Sequence, residues 1–329
     1  MPEMKFLYRF FLLKETALPP AVMALARRGF LLAKGYIKEI SHGNRISSVS
    51  RCFSSATTAQ QPYQRRELER HEVDMFDRDG FLVLTDFLNS SEKSRIVEWG
   101  DEIQGWPETA GKWFSYYETI NGKKTLCRTE NFFPYHDGMR TLIETRLVNA
   151  ISDLFNEPAC LFKEKVNYKL PNGGAFPPHQ DAPAYVTFNQ RLHITAMIAI
   201  DPMTIENGCL DVVAGRHKEG VIPQDESGNI QPSLVEKMTW QPIECDAGTV
   251  MFFNAFAPHR SDKNKTDKAR RIFYLTFNAV ADGGYKRDAY YTDKRVMFPP
   301  EIERVPGRDY SEGAKVYNLA TPITNKKTT

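Results

Sequence analysis

Two histidines and one aspartate stand out, because their side chains are suited to bind a single metal ion. His179 and Asp181 are separated by one residue and follow a Gly-rich turn, and His259 comes 78 residues after Asp181, just beyond an apolar stretch. On an extended backbone, residues two apart project to the same face, so His179 and Asp181 are expected to converge. Two histidines and one carboxylate on one face of a metal are the ligand set of non-haem Fe(II) oxygenases, which leaves the opposite face open for a co-substrate and O2.

A basic residue further along the chain adds to this pattern, since the H-x-D spacing alone is common in solvated surface loops. The segment Lys268-Ala269-Arg270-Arg271 opens a predicted strand, and Arg270 lies 11 residues after His259. A guanidinium group pairs with both oxygens of a carboxylate, so it is suited to hold the distal carboxylate of 2-oxoglutarate. Arg270 is the first candidate for this role. Arg271 is the alternative, because the sequence does not show which of the two faces inward.

The elements that must position these side chains are mostly short strands. A strand and a helix capped near Asn89 come first, followed by a helix predicted over residues 141–155. After Pro158 the hydrophobic pattern changes to a period of two. Strands are predicted over residues 81–84, 161–170, 192–200, 209–213, 249–253 and 272–277. Short strands separated by turns, without helices between them, indicate an antiparallel sandwich or barrel and not a parallel doubly wound sheet.

Composition excludes several classes of protein. The 329 residues are 41% hydrophobic and 26% charged, which is typical of globular chains. Residues 1–66 contain 11 Lys and Arg against three acidic residues, whereas the remaining 263 residues contain 32 basic and 38 acidic ones. A nucleic-acid-binding body is therefore disfavoured, because phosphate binding needs a concentrated basic surface. The five cysteines include no C-x-x-C pair, which favours buried small hydrophobes over a disulfide framework or a zinc cage.

The basic leader, residues 1–66, has the composition of an organellar transit peptide. It is rich in Leu, Phe, Ala and Ser, and its Arg51-Cys52-Phe53-Ser54-Ser55 segment resembles a mitochondrial processing site. A mitochondrial matrix location is therefore expected, with the cytoplasm as the alternative, and a disordered or membrane-adherent extension is the other interpretation of the leader. An integral membrane segment is not expected, because the leader lacks a run of about 20 apolar residues. Residues 67–329 are predicted to form the catalytic domain.

Residues of about 72–310 resemble the phytanoyl-CoA dioxygenase family of Fe(II)/2-oxoglutarate oxygenases. The resemblance is carried by His179-Gln180-Asp181, Glu206-Asn207-Gly208-Cys209-Leu210, Gly248-Thr249-Val250-Met251-Phe252-Phe253 and Pro258-His259-Arg260-Ser261 with its downstream arginine. It implies a mainly β fold with flanking helices, the double-stranded β-helix or jelly roll of the cupin type.

The same resemblance implies a role for individual residues. His179, Asp181 and His259 would bind Fe(II), while Arg270 and Ser261 would hold 2-oxoglutarate. Asn167, on the strand before the H-x-D segment, is a weaker candidate for the co-substrate pocket. The sequence departs from many relatives at Gly215-Arg216-His217, where they carry Gly-Ser-His, so His217 is read as an ordinary loop residue. Halogenating relatives lack the carboxylate ligand, so Asp181 argues against that chemistry.

The reaction implied is hydroxylation of a substrate C–H bond, with O2 and 2-oxoglutarate consumed and succinate and CO2 released. Residues 162–171 and 179–185 are similar to those of relatives that hydroxylate small polar molecules such as 2-aminoethylphosphonate. A small anionic or zwitterionic substrate is therefore expected. Polar and basic residues predicted near the mouth of the site support this interpretation, since inward-facing cations attract anions. They include Arg128, Lys163, Lys165, Gln180 and Tyr185.

Other functions remain open at this stage. Within the same class, the substrate is alternatively an acyl-CoA of the phytanoyl type or a secondary-metabolite intermediate. A jelly-roll binding protein without activity would keep the fold, although it would not need both the metal ligands and the downstream arginine. A zinc hydrolase with the same three ligands is possible, but it would leave Arg270 and Ser261 without a role. The sequence carries no expectation about the oligomeric state.

Overall fold

A computed structural model of the chain describes residues 63–318, and antiparallel sheets dominate this part. Its strands, in chain order, are β1 (Phe81–Leu84), β2 (Phe114–Ile120), β3 (Lys123–Glu130), β4 (Ala159–Lys169), β5 (Phe176–His179), β6 (His193–Ala199), β7 (Leu210–Val212), β8 (Gln241–Ile243), β9 (Val250–Asn254), β10 (His259–Ser261) and β11 (Arg270–Ala279). Seven of them form one sheet in the order β1-β9-β6-β11-β4-β3-β2, and the other four form a second sheet in the order β5-β10-β7-β8. The predicted jelly-roll fold is confirmed.

Seven α-helices lie within the described residues. They are α1 (Arg70–Asp79), α2 (Ser90–Gly105), α3 (Asp137–Leu142), α4 (Val148–Phe155), α5 (Pro232–Val235), α6 (Arg287–Met297) and α7 (Ser311–Tyr317). Helix α2 begins where the sequence predicts, because Asn89 accepts a hydrogen bond from the Glu92 amide and Glu92 returns one to the Asn89 amide. A π-helical segment, Ile143–Leu147, joins α3 to α4, so the helix predicted over residues 141–155 is present but wound more loosely in its first half.

The seven-stranded sheet has an apolar core on each face. On its outer face, side chains such as Phe273 and Leu275 pack with α2, α3 and α4. On its inner face, Ile272 packs with residues of the four-stranded sheet, including Leu210 and Val212. The period-two alternation of β11 thus sends successive residues to opposite cores. This alternation decides which of the neighbouring arginines can reach the space between the sheets.

The β2–β3 hairpin extends the large sheet beyond β4, and the sequence patterns above do not predict it. Its apolar residues pack with α6 and α7 through an aromatic cluster that contains Phe114, Tyr116, Tyr290 and Phe298. Glu118, Cys127 and Arg128 of the hairpin line the space between the sheets.

Residues 1–62, most of the predicted leader, lie outside the described residues. The end of the leader contacts the body, since the Asp153 carboxylate accepts hydrogen bonds from the amides of Arg66, Glu67 and Leu68 and from the Tyr63 hydroxyl. In the described part of the chain, no helix combines the length and apolar character needed to cross a membrane. The cysteines found there are free thiols, and three of the four are buried.

Candidate active site

The two histidines and the aspartate lie together at one end of the four-stranded sheet. Strands β5 and β10 are paired so that His259 lies opposite His179, and their rings are 4.2 Å apart. One ligand atom from each of His179, Asp181 and His259 lies within 4.8 Å of the other two. The predicted convergence is correct, but the predicted cause is wrong. Strand β5 ends at His179, and Asp181 has helical dihedral angles (φ −74°, ψ −31°), so a turn and not strand alternation places its carboxylate.

Backbone hydrogen bonds orient both imidazoles in the same way. Nδ1 of His179 lies 2.6 Å from the Pro177 carbonyl oxygen, and Nδ1 of His259 lies 3.0 Å from the Ala257 carbonyl oxygen. Because a carbonyl only accepts, each Nδ1 must carry the hydrogen, which leaves the Nε2 lone pair free to bind a metal. Burial and the neighbouring His259 lower the pKa of His179 to about 3, so this ring is neutral at physiological pH, as a metal ligand must be.

The Asp181 carboxylate is held in its ionised form. Burial alone would raise its pKa, but His259 and the nearby Lys165 outweigh that effect and lower the pKa well below its usual range. The next residue fixes the loop, because the Ala182 amide donates to the Ala255 carbonyl at 3.0 Å. Two imidazoles with their Nε2 atoms free and one carboxylate, all preoriented, form a donor set that fits a ferrous ion.

Gln180 was predicted near the mouth of the site, but the structure turns its side chain away from the cavity, whose lining does not include it. Its amide nitrogen donates to the Gly220 and Phe256 carbonyls at 2.9 and 2.6 Å. Its amide oxygen accepts from the Ile222 amide at 2.8 Å. Gln180 therefore ties the segment between His179 and Asp181 to the loop that precedes His259.

Arg270 points into the space between the sheets. It is only 4% exposed, and its Nε has no hydrogen-bond partner in the described part of the chain. The Tyr274 hydroxyl, from the same face of β11, contacts the guanidinium. Burial lowers the pKa of Arg270, and no carboxylate pairs with it among residues 63–318. A buried guanidinium without a counterion is costly, so this arrangement fits a bound anion.

Arg271 points the other way, as the strand alternation requires. Its guanidinium forms two hydrogen bonds of 2.9 Å with the Asp201 carboxylate and a further contact with Asp101 on α2. These partners raise its pKa, so its charge is fully matched at the surface of the fold. Of the two arginines that the sequence leaves open, only Arg270 faces the cavity.

The remaining predicted residues line the same cavity. The Ser261 hydroxyl accepts a hydrogen bond from Lys169 Nζ at 2.7 Å. Asn167 accepts one from Arg128 Nε at 2.9 Å. Lys169 lies opposite Arg270 in the pairing of β4 with β11, and it was not predicted as a site residue. The alternation along β4 is the signal that could have identified Lys169, since residues 163, 165, 167 and 169 share one face and are all polar.

The cavity encloses about 720 Å³, including its part open to solvent. The triad forms one wall, apolar side chains such as Phe176, Leu210 and Phe253 form part of the rest, and four basic residues face the interior. These basic residues are Arg128, Lys165, Lys169 and Arg270. Only two acidic residues, Glu118 and Asp181, line it as well. The predicted basic character of the site is present at Arg128 and Lys165.

A jelly roll with two histidines and one carboxylate facing a cavity, and a buried arginine beside them, defines the class of the mononuclear iron dioxygenases. Residues 76–272 match the family model described as "Phytanoyl-CoA dioxygenase (PhyH)". The chain belongs to this family and is an Fe(II)- and 2-oxoglutarate-dependent dioxygenase.

Two relatives support this assignment, and one solved structure shows a similar fold. The chain is 41% identical over 248 residues to the 2-aminoethylphosphonate dioxygenase of Uncultured bacterium HF130_AEPn_1, covering 74% of this chain and 94% of that protein. It is 39% identical to the methylphosphonate hydroxylase of Gimesia maris, covering 69% and 86%. The fold is similar to that of EctD from S. alaskensis with 2-oxoglutarate and 5-hydroxyectoine, with a TM-score of 0.56, 21% identity and coverage of 67% and 81%.

Proposed function

We propose that His179, Asp181 and His259 hold the ferrous ion and that Arg270 and Ser261 hold the distal carboxylate of 2-oxoglutarate. The observation that carries this assignment is the pairing of two free Nε2 atoms and one carboxylate with a buried, uncompensated guanidinium in the same cavity. A hydrolytic metal site would need the three ligands but not the guanidinium. A site for a diacid co-substrate needs both.

When bound, the ferrous ion and 2-oxoglutarate supply the oxidising chemistry that the protein itself lacks. One O2, one 2-oxoglutarate and one substrate C–H bond give one C–OH group, succinate and CO2. The chain contributes orientation and protection. Arg270 positions the co-substrate. Apolar residues of the core between the sheets, such as Phe253 and Leu210, limit the access of water to the site. No side chain is required to act as a general base.

We further propose that the substrate is a small organophosphonate, with 2-aminoethylphosphonate as the first candidate. Both relatives named above act on phosphonates according to their names. Methylphosphonate has a single carbon, which is bonded to phosphorus, so a hydroxylase of that compound must act there. We assign the same position, the carbon bonded to phosphorus, as the reacting carbon here. The cationic lining beside the triad supports an anionic substrate over a largely apolar acyl chain.

A substrate comparison tests this proposal. With Fe(II) and 2-oxoglutarate present, 2-aminoethylphosphonate is expected to raise succinate release at least about tenfold over the substrate-free rate, since correct substrate binding contributes more than about 1.4 kcal/mol. The product should gain the mass of one oxygen. The matched control is 3-aminopropionate, in which a carboxylate replaces the phosphonate, and it should give little stimulation. Equal stimulation by both compounds, or none by any phosphonate, would reject the substrate class.

We also propose that the leader directs the protein to mitochondria. The support is its excess of basic over acidic residues and the Arg51-Cys52-Phe53-Ser54-Ser55 segment. A fluorescent protein fused after residue 329 is expected to colocalise with a mitochondrial marker in eukaryotic cells, and deletion of residues 1–62 should move it to the cytoplasm. A full-length fusion that stays in the cytoplasm would contradict the proposal.

A further inference from the structure

The charges at the metal centre cancel without help from the rest of the cavity. A ferrous ion, the Asp181 carboxylate, the two carboxylates of 2-oxoglutarate and the Arg270 guanidinium have formal charges that sum to zero. Lys169 adds little, because burial and the nearby Arg270 lower its pKa to about 6 and leave it mostly neutral at pH 7. Its nearest acidic neighbour among the lining residues is Glu118, whose pKa is raised by burial. Two further basic residues remain in the cavity wall, Arg128 and Lys165. Burial and the nearby Arg128 hold the pKa of Lys165, too, well below its usual range.

Arg128 and Lys165 have too little negative charge around them. Glu130, the acidic residue closest to Arg128 at 3.5 Å, is already paired with Lys294 at 2.6 Å. Within residues 63–318, Lys165 Nζ forms no ion pair, and its contact is with the Tyr274 ring, 5.3 Å away. Lys163, on the same face of β4, adds a further buried amine stacked on Tyr185, and burial lowers its pKa. A bound anion would offset the cost of burying these basic groups and would favour the charged form of Lys165, which burial and Arg128 disfavour.

This cationic pair is separate from the arginine that faces the co-substrate. Lys165 pairs with Tyr274 in the sheet, whereas Lys169 pairs with Arg270, four positions further along β4. Four residues of strand correspond to about 13 Å between backbone positions. The side chain of Tyr274 lies between the two groups, because it contacts Lys165 with its ring and Arg270 with its hydroxyl. The cavity wall thus contains two separate groups of basic residues as well as the metal ligands.

We propose that Arg128 and Lys165 form the binding site for the phosphonate group of the substrate. The inference rests on the proposed function and goes beyond it by naming the residues that select a doubly charged anion. Asn167 accepts from Arg128 Nε and so fixes the guanidinium. Apart from the long 3.5 Å contact of Nη1 with Glu130, the terminal N–H groups remain to donate to phosphonate oxygens. Lys165 is an electrostatic neighbour of both Asp181 and Arg128, so a phosphonate held between the two cations lies beside the metal with its attached carbon close to the reacting centre.

The test compares Lys165→Gln and Arg128→Gln with the wild-type holoenzyme. Each variant is expected to raise the KM for 2-aminoethylphosphonate by about 10- to 100-fold, the effect of losing charge-assisted hydrogen bonds, and to leave the KM for 2-oxoglutarate within about twofold of wild type. Lys165→Arg should restore most of the affinity because it keeps the charge. Lys237→Gln, at an exposed lysine, is the matched control and should change neither constant.

Binding is measured separately by calorimetry, with methylphosphonate added to anaerobic enzyme containing Fe(II) and 2-oxoglutarate. Binding by wild type and its loss in Lys165→Gln support the site even if no phosphonate is turned over, in which case only the proposed function fails. Turnover with an unchanged KM for the phosphonate in both variants overturns the site and leaves the function standing. A raised KM for 2-oxoglutarate alone assigns these cations to the co-substrate and also overturns it. If wild type neither binds nor oxidises any phosphonate, both proposals fail.

Discussion

Asp181→Ala is expected to lower the rate of 2-oxoglutarate-dependent succinate release by at least about a thousandfold, equivalent to about 4 kcal/mol of transition-state stabilisation. The reason is the loss of the only anionic ligand in the triad, which leaves two neutral imidazoles to hold the ferrous ion. The measurement is initial succinate release at saturating Fe(II), 2-oxoglutarate and 2-aminoethylphosphonate, together with the Fe(II) bound per chain after desalting.

The matched control is Asp86→Ala, at an aspartate whose side chain is 96% exposed. This substitution removes a carboxylate of the same type at a position away from the site, so the rate and the bound iron should stay close to wild type. Folding is checked by the thermal unfolding midpoint of the iron-free proteins. Asp181→Ala that retains hydroxylation and a full complement of iron would show that this carboxylate is not a ligand.

The second large effect is expected at Arg270. Arg270→Gln should raise the KM for 2-oxoglutarate by about 100-fold, because a bidentate pair of charge-assisted hydrogen bonds to a carboxylate is lost. The maximal rate at saturating co-substrate should fall much less, since the metal ligands remain in place. Steady-state kinetics over a wide range of 2-oxoglutarate concentration separates the two constants.

Arg271→Gln is the control that the sequence itself supplies. Arg271 pairs with Asp201 and Asp101 on the outer face of the sheet, so its loss should lower the thermal unfolding midpoint by a few degrees and leave the KM for 2-oxoglutarate within about twofold of wild type. The opposite ranking, with Arg271→Gln impairing co-substrate use and Arg270→Gln only stability, would contradict the assignment.

Much of the fold was predictable because its strands carry strong local patterns. The period-two segments around β4, β6, β9 and β11 all appear as strands, with ends shifted by a few residues. The β2–β3 hairpin was missed, since its residues are strongly polar along β3 and its apolar side chains pack against the distant helices α6 and α7. Such packing is not visible in a local window of sequence.

The site shows the same division between local and non-local information. The metal-binding segment was found from residue types and spacing, yet the turn conformation of Asp181 was not. The choice between Arg270 and Arg271 could not be made from the pattern, because both faces of β11 carry large side chains, Ile272 and Tyr274 on one and Phe273 and Leu275 on the other. The pairing of Arg270 with Lys169 and the contact of Arg271 with Asp201 determine which arginine faces the cavity. Lys169 and Asp201 lie on other strands or loops, so a local pattern does not show them.

Isotope labelling of the two products tests the central claim most directly. When the enzyme turns over 2-aminoethylphosphonate and 2-oxoglutarate under 18O2, one labelled oxygen is expected in the hydroxylated product and one in succinate, in equal amounts, as mass spectrometry can measure. This result follows if both atoms of one O2 are used at a single ferrous centre held by His179, Asp181 and His259. Product oxygen that comes wholly from water, or hydroxylation that proceeds without succinate, would contradict the account.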